Sequence, residues 1–337
     1  MKRKIGKLHL SAIALSVIML FSSVPMVFAA TDQQSGELQD CLSASDVYNA
    51  IGGKKVAELD NNKITLTKNA VIKYGIKINC PDVVIDLNGK NLNADFTSSN
   101  IIQVSSGKLT IQASNRNSNG YIRYLTDVNN YAVRLTGGSL VLNSGSVQGI
   151  EVMNADVTIN GGSIYSDSVS GVLDISYDSN VVMNNGFIYA TFDGVRVGSK
   201  DNTRGNFTMN NGSIRSKRTD GIYVMNGSAN INSGVVTASN FYEYNLFAAV
   251  VCNTSELNIT GGRFISNKTA LITYASLDKT ISGGQFISDE TAIWIKAGDN
   301  SNIDKIIKDG YKLVDNLGRS VDPSCRKTAK EVMVVPN

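Results

Sequence analysis

The 337-residue chain is 42% hydrophobic and 18% charged, with 32 Lys/Arg against 29 Asp/Glu and a net charge of +3. That balance is too apolar for a disordered chain and too even for a protein built around nucleic acid or an anionic membrane. Its one histidine, His9, sits near the N-terminus, so the rest of the chain has no imidazole to use.

Residues 1–29 read as a secretory signal: basic MKRKIGK, the apolar run LSAIALSVIMLF, then Val27-Phe28-Ala29 as a small-residue cleavage site. The apolar run is too short for a retained span. Removing the segment takes four Lys/Arg, no acid and His9, leaving 28 basic against 29 acidic residues. The protein is therefore expected to be secreted or held at a cell surface, without a transmembrane segment. Residues 30–62 are expected to form an N-terminal cap segment. TDQQSG (31–36) is polar, and SASDVYNAIGG (43–53) predicts a short helix with Ser43 as N-cap, Asp46 in its first turn and Gly52-Gly53 as its stop. Such a helix would cover the open edge of the first coil of strands. KITLTKNAVIKYGIKI (63–78), VVIDLNG (83–89) and SSGKLTIQAS (105–114) alternate apolar and polar, as strands do.

From about residue 115 the chain repeats one phrase, apolar–Asn/Ser–x–Gly–x–apolar. The copies include LNSGSV (142–147), INGGSI (159–164), MNNGFI (183–188), MNNGSI (209–214), INSGVV (231–236), ITGGRF (259–264) and ISGGQF (281–286). Their glycines, from Gly120 through Gly145, Gly162, Gly186, Gly212, Gly234, Gly262 and Gly284, recur about every 23 residues, the mark of stacked units. Apolar residues fall five and three places before each glycine and two after it, which is period two on both sides of a bend. Two places before the bend stand Asn143, Asn160, Asn184, Asn210 and Asn232, expected to form an interior ladder of amides hydrogen-bonded from rung to rung. A third strand per unit opens with a small–aliphatic pair, as in Ala132-Val133, Gly149-Ile150, Gly171-Val172, Gly194-Val195, Gly221-Ile222, Ala270-Leu271 and Ala292-Ile293. Three strands per turn predict an all-β, right-handed parallel β-helix over 63–300, since parallel crossovers are right-handed. After 300 the repeat dissolves, and 301–337 is expected to be a C-terminal cap ending in a hairpin. Four cysteines remain, Cys41, Cys80, Cys252 and Cys325. Export permits Cys41–Cys80 and Cys252–Cys325 disulfides, with free buried thiols as the alternative. No pair has zinc-ligand spacing.

The bend asparagines, the three-strand rung and VVIDLNGKNLNADF (83–96) resemble the bacterial secreted right-handed β-helix proteins of the pectate-lyase-like superfamily, over roughly residues 50–320. The resemblance implies the fold; the superfamily's functions range from lyases and glycosidases to adhesins and stalks.

Two successive loops end in Asp-Gly before the third strand, TFDGVRV (191–197) and RTDGIYV (218–224). In register, Asp193 would lie above Asp220, with Asp174, Arg196, Arg215, Lys217, Arg218 and Tyr223 near them. Stacked outward carboxylates beside basic groups suit an acid/base pair for glycoside hydrolysis or, as the resemblance to pectate-lyase-like enzymes implies, calcium binding with an Arg or Lys removing a proton from a uronate. RTDGI resembles the Asn-Thr-Asp motif of polygalacturonase-like enzymes, but the paired aspartates, the Gly-His-Gly and the Arg-Ile-Lys motifs that accompany it are absent. A plain Asp-Gly turn is the structural alternative. ASNFYEYNLF (238–247) and the only tryptophan, Trp294, supply aromatic rings that could stack on sugar faces, and Tyr223, Tyr242, Tyr244 and Trp294 form the expected binding set. The missing histidine and incomplete acid pattern favour a non-catalytic module that binds polysaccharide or a cell-surface glycan, adhesin-like and free of cofactor, over a lyase or glycosidase that would need Asp174, Asp193, Asp220, Arg196 and Arg218. A ligand-free stalk is the third reading.

Overall fold

The computed structural model describes residues 38–115, 120–168, 171–199, 201–239, 247–254, 256–298 and 302–337. All of these belong to one compact unit, residues 34–337. The unit is a parallel β-solenoid of about 9 turns with roughly 24 residues per turn.

Each turn contributes a strand to three faces. The first face holds the strands that precede the bend, the second those that follow it, and the third those that open with the small–aliphatic step. The first and third faces merge through two long strands, Gly75–Asp86 and Ile102–Gln112, into one 19-stranded sheet; the second face is a separate 12-stranded sheet. The register makes the core explicit. Inward on the first face stack Leu109, Leu140, Val157, Val181, Phe207, Ala229 and Leu257. On the second stack Ile122, Val147, Ile164, Ile188, Ile214, Val236, Phe264 and Phe286. On the third stack Ile102, Val133, Ile150, Leu173, Val195, Ile222, Val250, Leu271 and Ile293. These residues are almost wholly buried, so apolar area removed from water along three columns holds the turns together.

The third-face pairing departs from the sequence reading at one turn. Gly171 pairs with Asp193, so Val172, and not Gly171, sits level with Gly194. The chain accommodates this because Val172 packs inside with no exposure. Ala249-Val250, which carries the step in the turn after Gly221-Ile222, completes the column.

The bend glycines are required by backbone geometry. At Gly212 φ is +104°, and a Cβ there would come within 2.7 Å of the Gly186 carbonyl oxygen one turn away. Beside the bend, the amides form their ladder: Asn160 donates to Asn143, Asn184 to Asn160, Asn210 to Asn184 and Asn232 to Asn210, at 2.8–3.0 Å, and Thr260 donates to Asn232. The ladder runs along the outside of the corner, exposed, and not through the interior as the repeat pattern implied. The inward positions on either side are taken by apolar residues, which leaves the asparagine to face water. A second outer ladder, Asp156–Asn180–Asn206–Ser228, runs beside it on the first face.

The N-terminal cap is the helix Ala44–Ile51. Ser43 Oγ accepts from the Asp46 amide, while the Asp46 carboxylate accepts from Ser43 Oγ and the Leu42 amide. Val47 and Ile51 turn into the end of the solenoid. At the other end Tyr311–Asp315 and Glu331–Pro336 form an antiparallel hairpin, and the second of these strands pairs antiparallel with Gln285–Ser288, closing the last edge of the second face. Among the described residues no helix is long and apolar enough to cross a membrane.

All four cysteines are free thiols, which corrects both expected disulfides. Cys41 pairs in register with Ile78, two residues before Cys80 on the neighbouring strand. Burial, with the nearby Asp46 carboxylate, pushes the Cys41 thiol up to about 11. Cys252 points inward in its turn, whereas Cys325 lies in the tail beside Ile303, next to the strand Thr291–Ile295 two turns further on.

Candidate functional site

The outward positions of the third face form a single file. Arg134, Glu151, Asp174, Arg196 and Tyr223 stand in register, and Val251, Ile272 and Trp294 continue the column. Arg134 Nε lies 2.9 Å from Glu151 Oε2. Arg196 spans two acids, with Nη1 3.9 Å from Asp174 and Nε 3.6 Å from Asp193. Tyr131 reaches over the column and donates its hydroxyl to Asp174 Oδ2 at 3.2 Å. Burial raises the Glu151 and Asp174 carboxyls above the ordinary carboxylate range, and Arg134 and Arg196 oppose the rise.

Asp193 and Asp220 are stacked on adjacent turns and both line the surface, but largely buried there, not freely exposed. Asp220 is 3% exposed. Asp193 Oδ1 accepts from Thr219 Oγ1 at 2.6 Å and from the Asp220 amide at 3.2 Å; Asp220 Oδ1 accepts from the Ala248 amide at 2.7 Å. Each aspartate thus caps a backbone N–H of the next turn, and not its own turn. The following glycine lets the turns close to this distance: a Cβ on Gly221 would sit 2.6 Å from the Ala249 carbonyl oxygen. Burial raises the Asp193 carboxyl, and burial together with the Asp193 charge raises Asp220 well above its ordinary value.

That shift has a definite sign in stability. The folded Asp220 carboxyl keeps its proton to higher pH than the unfolded one. Its contribution is therefore fully present below the ordinary carboxylate range and is lost as pH rises from there through the raised folded value. Asp220→Asn keeps the oxygen that accepts from Ala248 and removes the ionisation. The variant should melt about 2–4 °C higher than the parent at pH 7 and no higher at pH 4, by calorimetry. A lower melting temperature at pH 7 would show that the carboxylate charge itself is needed.

Around this pair the surface opens into two adjoining hollows. One, of about 320 Å³, is lined by Asp220, Tyr223, Phe247, Val251, Asn253 and Tyr274. The other, of about 190 Å³, is lined by Phe192, Asp193, Thr219, Asp220, Tyr223 and Phe247. The shared Asp220, Tyr223 and Phe247 make them one groove. Asn253 Nδ2 donates to the Tyr223 hydroxyl at 3.0 Å, leaving that hydroxyl its own proton to give.

Several expected members lie elsewhere. Arg215 and Lys217 are on the second face, over the Tyr189 ring. Arg218 is exposed and absent from both hollows. Trp294 is covered, with Lys296 and Lys327 stacked on its ring and its backbone bridged to the tail at Lys327. Tyr242 and Tyr244 lie outside the described residues. Phe192 and Tyr274 escaped the sequence reading. Both sit at strand ends outside the repeat phrase, where only three-dimensional register brings them beside Tyr223. A calcium cradle needs converging acids; among the described residues no group of three His, Cys, Asp or Glu stands close enough to share an ion.

No family model, no curated protein and no solved structure matches this chain.

Proposed function

We propose that the third face binds an extended polysaccharide or cell-surface glycan without cleaving it, in an exported protein of the secreted β-helix type implied by residues 1–29 and the repeat. The observation that carries this reading is the groove itself, with four aromatic side chains (Phe192, Tyr223, Phe247 and Tyr274) gathered about one buried carboxyl. Flat rings suit the apolar faces of sugar units, while Asp220, Asn253 and the Tyr223 hydroxyl offer polar partners to their hydroxyls. The lining comes from four successive turns, a span of about 14 Å at strand spacing, which fits a run of linked sugars better than a small metabolite.

Burial raises the Asp220 carboxyl, as it does for a general acid, which favours a glycosidase as the second reading. Against it, Asp193 is committed to Thr219, the Asp220 amide and Arg196, and so has little capacity left to act as base or nucleophile. A stalk has no use for the groove.

Native-gel retardation of the purified protein across acidic and neutral polysaccharides, with and without calcium, tests the proposal. At least one polymer should retard the protein, and Tyr223→Ala should weaken retardation at least about tenfold, the loss of roughly 1.4 kcal/mol or more of stacking. New reducing ends or unsaturated-uronate absorbance, abolished in Asp193→Asn, would replace binding with catalysis. Retardation by no polymer would leave the stalk.

A further inference from the structure

The interval from Gly145 to Gly162 is the shortest in the repeat, 17 residues. Its physical consequence lies on the second face. In this turn the second-face strand is only Ser146–Val147, and the chain passes through Gln148-Gly149 directly into the next third-face strand at Ile150. The turns on either side carry longer corners. Between them the short turn leaves a notch of about 410 Å³ in the outer wall, within the range of small-molecule sites. Arg123, Asp127, Gln148, Tyr165, Asp167 and Ser168 supply its polar lining.

The hydrogen-bonding groups of the notch are unevenly used. Gln148 Oε1 accepts from the Tyr124 amide at 2.9 Å, and its amide N–H groups have no partner among the described residues. The Tyr165 hydroxyl is buried without a well-formed hydrogen bond, and the Arg123 guanidinium lies close beside it. Arg123 itself forms no ion pair among the described residues, and neither does Asp127. Asp167 is partly spent, accepting from Thr191 at 2.7 Å and facing Lys217 at 3.4 Å. Ser168 gives its proton to the Val128 carbonyl at 2.5 Å, and its oxygen lies 3.4 Å from Ser166 Oγ, which leaves it one lone pair to accept with. A buried hydroxyl without a well-formed hydrogen bond costs free energy unless something occupies the space before it.

Charge decides what that occupant is. An anion would meet Asp127 and Asp167, and a cation would meet Arg123. A neutral polyhydroxyl compound avoids both conflicts, since each of its hydroxyls can take a proton from Arg123, Gln148 or Tyr165 and give one to Asp127 or Ser168. The Tyr165 ring, held edge-on by Tyr121 at 6.0 Å between centroids, and the half-exposed Leu125 offer apolar surface for ring carbons. We infer that the notch made by the short turn is a binding site for a single neutral hexose unit, separate from the third-face groove and independent of what that groove does.

Ligand-observed NMR on the full protein tests this with the methyl glycosides of glucose, galactose and mannose, and with glucuronic acid and glucosamine as charged controls. At least one neutral glycoside should bind at millimolar concentration more tightly than either charged sugar. Arg123→Gln should weaken it at least about tenfold and Tyr165→Phe about threefold or more. Tyr165→Phe removes only a hydroxyl without a well-formed hydrogen bond, so it should melt at least as high as the parent, which keeps a folding defect from imitating lost binding. Tyr223→Ala should leave the interaction unchanged, separating it from the third-face groove. No binding by any neutral glycoside, preference for a charged sugar, or binding indifferent to both notch variants would overturn the inference.

Discussion

Asp86→Ala is expected to cost the fold about 3 kcal/mol or more, because it strips four donors of one buried acceptor. Asp86 is fully buried at the end of the long strand Gly75–Asp86. Its Oδ1 accepts from the Asn88 and Ser114 amides at 3.0 and 2.9 Å, and its Oδ2 from Gln112 at 3.1 Å and from Lys63 Nζ at 2.9 Å. One carboxylate therefore joins three turns: Lys63 in the first, the Leu87–Gly89 corner in its own, and Gln112 and Ser114 in the next. Asn88 has φ +46°, a conformation that the Asp86 bond to its amide helps hold. The cost stays at the lower end for a buried ion pair because the Lys63 side chain is 41% exposed and can hydrate once released. The loss of the two backbone acceptors has no such remedy.

The pH dependence of this cost runs opposite to that of Asp220. Burial alone would raise the Asp86 carboxyl, but Lys63, Ser114 and Gln112 over-compensate and hold it below the ordinary carboxylate range. A lowered folded value contributes stability that is present above the unfolded value, near 4, and is lost as pH falls through the folded one. The gap in melting temperature between parent and Asp86→Ala should therefore be largest at neutral pH and narrow below about pH 4. A gap constant from pH 7 down to pH 2 would mean that shape, and not charge, is what Asp86 supplies.

Asp86 also shows where the sequence is legible and where it is not. Period-two alternation around the bend glycines made the parallel solenoid readable, because each apolar position maps onto one of three inward columns and a shift of one residue would expose a whole strand. Ser43, Asp46 and Gly52-Gly53 made the capping helix readable for equally local reasons. Outward residues follow no such rule. Asp86 resembles any polar residue at a strand end until Lys63 and Ser114 arrive from neighbouring turns. Asp193 and Asp220 resemble turn-formers, yet the amides they cap belong to the next turn. The asparagines were readable as a ladder, but whether it faced inward or outward depended on the side to which the corner turns. The notch was present in the sequence as a single number, the short glycine interval, whose meaning required the longer corners on either side.

Phe264→Ala should be the most damaging substitution in the C-terminal half, costing about 3–5 kcal/mol from lost burial and the cavity left behind. Phe264 is fully buried on the inward side of the second face, where earlier turns carry Val147, Ile164, Ile188, Ile214 and Val236. Its ring stacks on Phe286 one turn on, with centroids 4.9 Å apart and planes 15° from parallel. The bend glycines Gly262 and Gly284 leave room for the rings, since a Cβ on either would come within 3.4 Å of the Phe264 ring. Alanine would therefore open a void against two turns at once. In a solenoid each turn is stabilised chiefly by its neighbours, so weakening one interface need not lower the stability of the whole evenly. The turns from Arg263–Ser266 onward, including the tail hairpin that pairs with Gln285–Ser288, should open while those before Ser228 stay closed. Hydrogen exchange read by mass spectrometry should show faster exchange confined to peptides beyond about residue 256, with peptides covering 75–230 unchanged. Phe264→Leu, which keeps most of the volume, should cost less than about 1.5 kcal/mol and leave that pattern nearly intact. Uniformly faster exchange along the whole chain would instead mean that the columns couple the solenoid into one cooperative unit, and that its capping helix and tail hairpin stabilise each other through every turn between them.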